Sequence, residues 1–388
     1  MDFVATVYTR LFQLLAVPTI VLAVITTFAT FGSKGSGRIF GRTLIYTLLT
    51  TFAAAAVGAI LYVLVAPSNL PPLGLWPLAT NGTQELGETN VAEMLPQEAQ
   101  KLLPQSGEVG WGLHILSVIP NNIIKPFLEG NVLSLLLLAF AVGIGLSKLP
   151  ESENKTVVVK GLLGLQDLLF LLIRGLIWTL PLGIVAFSAQ LAAQVSAGVV
   201  ADSIGKYVLV VLGGNVIQFF VILPLFLLAR GLNPIHVLGR MMPAVLMALF
   251  TKSSAATLPV TMQSAENRLG VRKDVARFVL PICTTINMNG CAAFILVPSL
   301  FVMQNGGEVL DLTTILLWIF ISVVSAIGNA GVPMGCFFLT LSLMSGIGAP
   351  VAILGIILPI YTIIDMVETA ENVWSDSCVC AMTDHDLR

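Results

Sequence analysis

The sequence predicts an all-α integral membrane protein with about seven transmembrane helices and two re-entrant helical hairpins. Three observations carry that expectation. Of 388 residues, 56% are hydrophobic and only 10% are Asp, Glu, Lys or Arg, whereas a soluble chain carries about 25% charged residues; mean hydropathy is +0.93. Two apolar stretches are interrupted in their middles by small and polar residues. Near the C-terminus, Asp365, Glu368, Thr369, Asn372 and Asp376 fall at offsets 0, +3, +4, +7 and +11, which places them on one face of a helix. The net charge of −2 gives no reason to expect nucleic acid as a partner.

A spanning helix needs about 20 apolar residues, and such stretches run at roughly 8–31, 42–66, 131–149, 157–195, 203–229, 275–304 and 350–382. The fourth is long, with a break expected near Pro181. Residues 67–125 differ: they hold many prolines, Asn81-Gly82-Thr83 and the acids Glu85, Glu88, Glu93, Glu98 and Glu108. That composition reads as an exposed loop with one short amphipathic helix at Val91–Leu103.

Basic residues orient the helices. Lys34, Arg38 and Arg42 follow the first span, Arg230 and Arg240 the fifth, and Arg268, Arg272, Lys273 and Arg277 precede the next. The positive-inside bias puts the 32–42, 230–240 and 266–277 connections in the cytoplasm and the acidic loops outside. Met1 then lies outside with no signal peptide in view, so a helix preceding this chain is expected.

The two interrupted segments lie at 234–265 and 309–348. One reads Thr251-Lys252-Ser253-Ser254-Ala255-Ala256-Thr257-Leu258-Pro259, the other Ser325-Ala326-Ile327-Gly328-Asn329-Ala330-Gly331-Val332-Pro333. Each arm is short for a span, so each pair reads as a re-entrant hairpin, and non-helical backbone at membrane depth is tolerated only in a cavity or inside protein. A Gly-rich packing face is the bland alternative. Two such runs, each followed by a polar helix, instead point to the midplane site of a secondary transporter.

An ionisable residue at the bilayer centre costs about 2.5–3.5 kcal/mol on the insertion scale. The carboxylates of the last helix therefore face protein or water and bind a cation, a polar solute or both. Carboxylate, amide and backbone carbonyl form a hard-oxygen set suited to Na⁺. Hairpin half-helix N-termini present N–H groups to an anionic substrate group, and their C-terminal carbonyls can face a cation. Some of the polar residues, Thr369 and Thr285 above all, have helix-to-helix hydrogen bonding as their bland role. The five cysteines show no metal-ligand spacing, and Cys378-Val-Cys380 is too tight for a thioredoxin-type motif. They are expected to be structural, unpaired thiols.

Four motifs occur in order: Ser253-Ser254-x-x-Thr257-Leu258-Pro259, Asn287-Met288-Asn289-Gly290, Ala330-Gly331-Val332-Pro333 and Asp365-x-x-Glu368-Thr369-x-x-Asn372-x-x-x-Asp376. Together they resemble the dicarboxylate/amino acid:cation symporters, the glutamate-transporter family, across essentially the whole chain. The last motif is most similar to the bacterial sodium/serine-threonine symporter branch. The resemblance implies a homotrimer of elevator-type transporters in the inner (plasma) membrane, with sodium-coupled uptake and the second hairpin as gate. It implies a scaffold helix at 1–41, a transport-domain helix at 42–66, an external loop at 67–130, scaffold helices at 131–200 and the rest of the transport domain at 201–388.

Carried over residue by residue, the resemblance implies that Ser253, Ser254, Gly331, Val332, Pro333, Thr369 and Asn372 contact an amino acid whose ammonium meets Asp365. It implies one sodium at Asn287, Asn372 and Asp376, a second at Thr285 with the 326–329 backbone, and another beside Thr50 and Thr51. Two departures matter. Members that carry acidic substrates place Arg where this chain has Glu368, whose charge would oppose a second carboxylate by about 4 kcal/mol at 4 Å and an effective dielectric near 20. Asn289 stands where the family usually has Asp, removing a carboxylate from a sodium site, so fewer than three coupled ions are expected. The family's first helix has no counterpart here.

The expected function is therefore sodium-coupled import of a small neutral, serine/threonine-like amino acid, with H⁺ as a possible coupling ion. A basic substrate, which Glu368 could pair, is the next reading; an acidic amino acid or dicarboxylate, or an uncoupled anion conductor on the same fold, remain alternatives. An intramembrane enzyme is not expected, because Ser254 has only Lys252 nearby and no Ser-x-x-Lys spacing.

Overall fold

A computed structural model describes residues 2–31, 37–65, 119–129, 132–195, 200–308, 310–329, 334–347, 349 and 351–388. All regular structure among them is helical. The first half comprises α1 (Asp2–Phe31), α2 (Gly37–Val65), a short α3 (Lys125–Glu129), α4 (Val132–Lys148), α5 (Glu153–Val195), α6 (Val200–Ile217) and α7 (Leu223–Ala229). The second half comprises α8 (Pro234–Thr251), α9 (Ser254–Ser264), α10 (Lys273–Ile286), α11 (Asn289–Asn305), α12 (Leu312–Ala326), α13 (Gly335–Gly346) and α14 (Ala352–Asp386). The expected amphipathic helix at Val91–Leu103 falls outside the described residues.

Among the described residues, five helical stretches are long and apolar enough to cross a membrane. Large apolar side chains stand exposed along α2 (Ile60, Leu64), α5 (Leu171, Leu172, Trp178) and α6 (Leu209, Val216). A surface of that kind suits lipid rather than water. Buried polar residues collect instead on α2 (Thr43, Thr47, Thr50, Thr51), on α9 (Ser254, Thr257, Thr261, Ser264) and above all on α14.

Two of the expected spans differ in detail. The break near Pro181 is absent, and α5 runs through it. Side chains hold the backbone there: Thr179 Oγ1 donates to Leu176 O at 2.9 Å, and the Tyr8 hydroxyl of α1 donates to Thr179 O. The 275–304 stretch, expected as one span, is two helices. Asn287 (φ −96°, ψ 65°) and Met288 (φ −102°, ψ 69°) leave helical geometry between α10 and α11.

Both interrupted segments do break. Lys252 adopts the left-handed region at φ 53°, and Ser253 is extended, its hydroxyl accepting from Ala256 N at 3.2 Å to cap α9. The two arms α8 and α9 pack against each other. In the second segment α12 tightens into a 3₁₀ turn at Ile327–Asn329, and α13 starts after Met334 at φ 62°. The arms α9, α12 and α13 hold 11, 15 and 12 residues, short of a span, but α8 with 18 residues is long and apolar enough to cross.

Helix α14 packs against α2, α5, α6, α8, α9, α10 and α11. Every residue from Glu368 to Asp384 is buried, so the expected single polar face is one side of a helix enclosed all round. Helix α1 packs on α4 and α5, and also on α13 and the Ile327–Asn329 turn. The cysteine expectation needs correction: Cys291 and Cys336 form a disulfide with Cα atoms 5.3 Å apart, while Cys283, Cys378 and Cys380 are free and buried. A separation of 45 residues, across a hairpin turn, left no local spacing from which to read that pairing.

The three connections that the charge bias places on one side meet at the C-terminal end of α14. Asp384 pairs with Arg272 at 2.7 Å and Arg388 at 2.8 Å; Asp386 pairs with Arg42 at 3.4 Å and Arg230 at 3.9 Å and accepts from the Tyr46 hydroxyl. Burial raises the Asp384 carboxyl, but the hydrogen bonds from Arg272 and Arg388 outweigh it and hold it below its ordinary value. A lowered folded value contributes stability above the unfolded pKa near about 3.9, lost as pH falls through the folded value. Asp384→Asn is thus expected to lower the thermal midpoint in detergent at pH 7, with the gap from the parent closing on acidification below about pH 4. A gap independent of pH would show that this charge does not act through its ionisation.

Candidate functional site

The break between α10 and α11 brings three elements together. Thr50 and Thr51 face it from α2, Asn287 and Asn289 sit in it, and Asn372, Ser375 and Asp376 face it from α14. Asn287 Nδ2 donates to Ser375 Oγ and Asp376 Oδ1, both at 2.9 Å; Asn289 Nδ2 donates to Ser375 Oγ at 2.7 Å. With both amide nitrogens held by α14, the amide oxygens turn to α2. Asn289 Oδ1 lies 2.9 Å from Thr51 Oγ1 and 3.4 Å from Thr50 Oγ1, and Asn287 Oδ1 lies 3.2 Å from Thr50 Oγ1.

Proton counting decides what such a cluster can hold. Each threonine hydroxyl has one proton. Thr50 Oγ1 also reaches Tyr46 O at 2.9 Å, and Thr51 Oγ1 reaches Thr47 O at 2.7 Å. Oxygens therefore outnumber the protons available to them. Asp376 adds a carboxylate that is 1% exposed. Among the described residues the ion pairs of carboxylates fall at Glu151, Glu266, Asp384 and Asp386, none at Asp376. Surplus hard oxygens around a buried carboxyl group fit a small alkali cation such as Na⁺. Among the described residues no three His, Cys, Asp or Glu side chains come together.

A second enclosure lies beside it, lined by Lys252, Ser254, Asn329, Cys336, Asp365, Glu368, Thr369 and Asn372. It joins the turn of the first hairpin, both sides of the second and the middle of α14. The Tyr361 hydroxyl lies 3.3 Å from both Asp365 Oδ1 and Glu368 Oε2, and its single proton can serve one at a time. Asp365 Oδ2, Glu368 Oε1 and Asn329 Oδ1 are buried with no hydrogen-bond partner. Three acceptors without donors describe a site waiting for a donor-rich ligand. The enclosed volume of about 10 Å³ holds roughly one water, so a wall must move before an amino acid enters.

Gly290 sets the spacing between these two enclosures. Its N–H donates to Asn372 Oδ1 at 2.9 Å, and a Cβ there would stand 2.9 Å from Glu368 Cα. Only glycine lets α11 approach α14 this closely.

Of the residues singled out from sequence, Ser254, Asp365, Glu368, Thr369 and Asn372 line the second enclosure. Thr50, Thr51, Asn287, Asn289 and Asp376 form the first. Ser253 serves as the cap of α9. Thr285 stays outside both clusters, its hydroxyl bonded to Ile282 O at 2.8 Å within its own helix. Thr369 also bonds back, to Asp365 O at 2.7 Å. Gly331, Val332 and Pro333 lie outside the described residues. Sequence reasoning missed Lys252, Asn329, Ser375 and Tyr361. Tyr361 was legible four residues before Asp365 on the same face, whereas Ser375 lies off that face and Asn329 at the end of a 3₁₀ turn. Glu371, off the face as well, is fully buried with both carboxylate oxygens unpartnered.

Comparison with known proteins identifies a family and relatives. The profile described as the sodium:dicarboxylate symporter family matches residues 1–386. The chain is 30% identical over 404 aligned positions to excitatory amino acid transporter 2 of Mus musculus, covering 95% of this chain and 70% of the relative. It is 28% identical over 406 positions to neutral amino acid transporter B(0) of Oryctolagus cuniculus, covering 97% and 72%. Excitatory amino acid transporter 1 of Ambystoma tigrinum is 26% identical over 408 positions, covering 97% and 75%.

Ser375 receives both asparagine amides, so Ser375→Ala should release the two oxygens from their α2-facing orientation. The expected result is sodium affinity weakened by about tenfold, corresponding to about 1.4 kcal/mol, the scale of a lost buried hydrogen bond. Titration of sodium against the purified variant reads this directly; an unchanged affinity would remove Ser375 from the site.

Proposed function

This chain belongs to the sodium:dicarboxylate symporter family, and we propose that it imports a small neutral amino acid of the serine or threonine type together with sodium. The family makes it a multi-pass plasma-membrane transporter for amino acids or dicarboxylates and not an enzyme. The finer reading rests on the unpartnered acceptors of the enclosure lined by Asp365 and Glu368. An α-ammonium brings donors to Asp365, and a side-chain hydroxyl brings one to Glu368. The substrate carboxylate meets the N-terminus of α9 at Ser254 and the ammonium of Lys252, in keeping with the charge preference of a helix start. The Gly331–Pro333 segment completes the contact set.

Relatives named for excitatory and for neutral amino acids occur side by side, so the chemistry of the pocket has to choose. Glu368 disfavours a substrate carboxylate at the side-chain end. A basic substrate is the second reading, favoured because two carboxylates face one lysine in the enclosure. Sodium, when bound at Thr50, Thr51, Asn287, Asn289 and Asp376, neutralises the buried charge and fixes the break between α10 and α11; Thr285 and the 326–329 backbone supply a second position. Residues 1–41 and 131–200 form the scaffold of a homotrimer, and 42–66 with 201–388 form the part that moves.

Counterflow in proteoliposomes with labelled serine, aspartate and arginine, with and without sodium, tests the reading. Serine is expected to exchange in sodium only; exchange of aspartate alone would overturn it. Glu368→Arg is expected to shift preference toward aspartate, and unchanged selectivity would show that Glu368 does not read the side chain. Reversal potentials are expected to give fewer than three sodium ions per substrate, because Asn289 supplies no charge; a ratio of three would contradict that.

A further inference from the structure

We propose that Cys291 and Cys336 are a reversible thiol–disulfide modification site whose oxidised form holds the substrate enclosure shut. The inference rests on the reading of that enclosure as the amino-acid site. Cys291 lies in the first turn of α11, next to Gly290, which packs on Glu368. Cys336 lies in the first turn of α13 and itself lines the enclosure. Their bond ties the second hairpin to the helix that carries Asn289.

The surroundings leave little slack. Asn329 Nδ2 faces the Cys336 sulfur at 3.5 Å and the Met288 sulfur at 3.8 Å, and its Oδ1 has no partner. A Cβ on Gly335 would lie 1.6 Å from that Oδ1, so the start of α13 sits directly on the Asn329 side chain. With the bond in place the enclosure measures about 10 Å³, room for roughly one water. An amino acid needs one wall to withdraw, and the wall carrying Cys336 is covalently held. With the sulfurs reduced, nothing covalent joins α13 to α11 and that wall is free to withdraw.

The chemistry is ordinary thiol–disulfide exchange with an oxidised dithiol or small-molecule disulfide as oxidant. The Cys336 thiolate attacks one sulfur of the oxidant, breaking its S–S bond and expelling one thiolate. Cys291 then attacks the Cys336 sulfur of the mixed disulfide and expels the second. Two protein thiols lose two protons and two electrons, and the oxidant becomes two thiols. A dithiol reductant runs the sequence backwards.

The test uses the full chain in lipid vesicles, one half oxidised with oxidised glutathione and the other reduced with dithiothreitol. Alkylation in denaturant followed by peptide mass mapping should find a Cys291–Cys336 linked peptide in the oxidised half only, with Cys283, Cys378 and Cys380 alkylated in both. No linked peptide after oxidation overturns the proposal. Sodium-dependent exchange of labelled serine, aspartate and arginine should be about tenfold or more slower in the oxidised half for whichever substrate exchanges, the effect expected when one state is held fixed. Equal rates in halves that differ in the linked peptide also overturn it. The oxidised-to-reduced ratio should become one in Cys291→Ser and, independently, in Cys336→Ala; a ratio that stays low in both places the effect elsewhere. No exchange of any substrate in either half, with the linked peptide present, removes the amino-acid reading and the inference with it, an outcome distinct from failure of the bond.

Discussion

Buried carboxyl groups that outnumber the basic side chains beside them govern this molecule: among the described residues of the second enclosure, Lys252 stands alone against Asp365 and Glu368. Asp376, Glu368 and Asp365 are 1%, 1% and 3% exposed on a helix enclosed by its neighbours, in a chain whose outer surface suits lipid. Isolated carboxylates in such surroundings are very costly. Arginines pair the carboxylates at the end of α14, yet none reaches the middle of the helix among the described residues. With Lys252 the one described basic side chain lining the enclosure of Asp365 and Glu368, balancing all three acids calls for a cation or protons from outside. On the proposed function that cost is what makes a binding site, and a cation at Asp376 would change the field felt at Glu368 two turns away.

Backbone irregularity places the remaining groups. A regular helix would turn Asn287 and Asn289 to different sides. The break at Asn287 and Met288 brings both amides to α14 and both oxygens to α2. The left-handed residue Lys252 and the extended Ser253 similarly stop α8 and begin α9 at the pocket wall. Gly290 then sets how near the broken helix can approach. The break at Asn287 and Met288 is enclosed by protein, whereas the turn at Lys252 and Ser253 is only partly covered and borders the pocket.

Much of this was legible in the sequence because the signals are local. The offsets from Asp365 to Asp376 gave one buried side of α14, Lys252-Ser253-Ser254 gave the turn between α8 and α9, and Ser325–Asn329 gave the end of α12. The charge bias of the connections anticipated the meeting of Arg42, Arg230 and Arg272 at one end. What stayed hidden depended on tertiary contact. Asn287-Met288-Asn289-Gly290 lies in apolar sequence that also suits an unbroken span, and only the bonds to Ser375 and Asp376 explain the break. Pro181 pointed to an interruption, yet α5 runs through it, with Tyr8 and Thr179 bonded to carbonyls nearby. Cys291 and Cys336 meet through the hairpin fold, and Thr285 matches a motif while its hydroxyl turns back to its own helix.

The central claim is that α14 and the α10–α11 break hold sodium directly, before substrate binds. Calorimetric titration of substrate-free protein with sodium, in parallel for the parent and for Asp376→Asn with choline as the control ion, tests it. The account predicts saturable sodium binding in the parent and a loss of about tenfold or more in Asp376→Asn, since a carboxylate ligand is replaced by a neutral amide. Equal sodium binding by the two proteins, or heats from choline matching those from sodium, would contradict it.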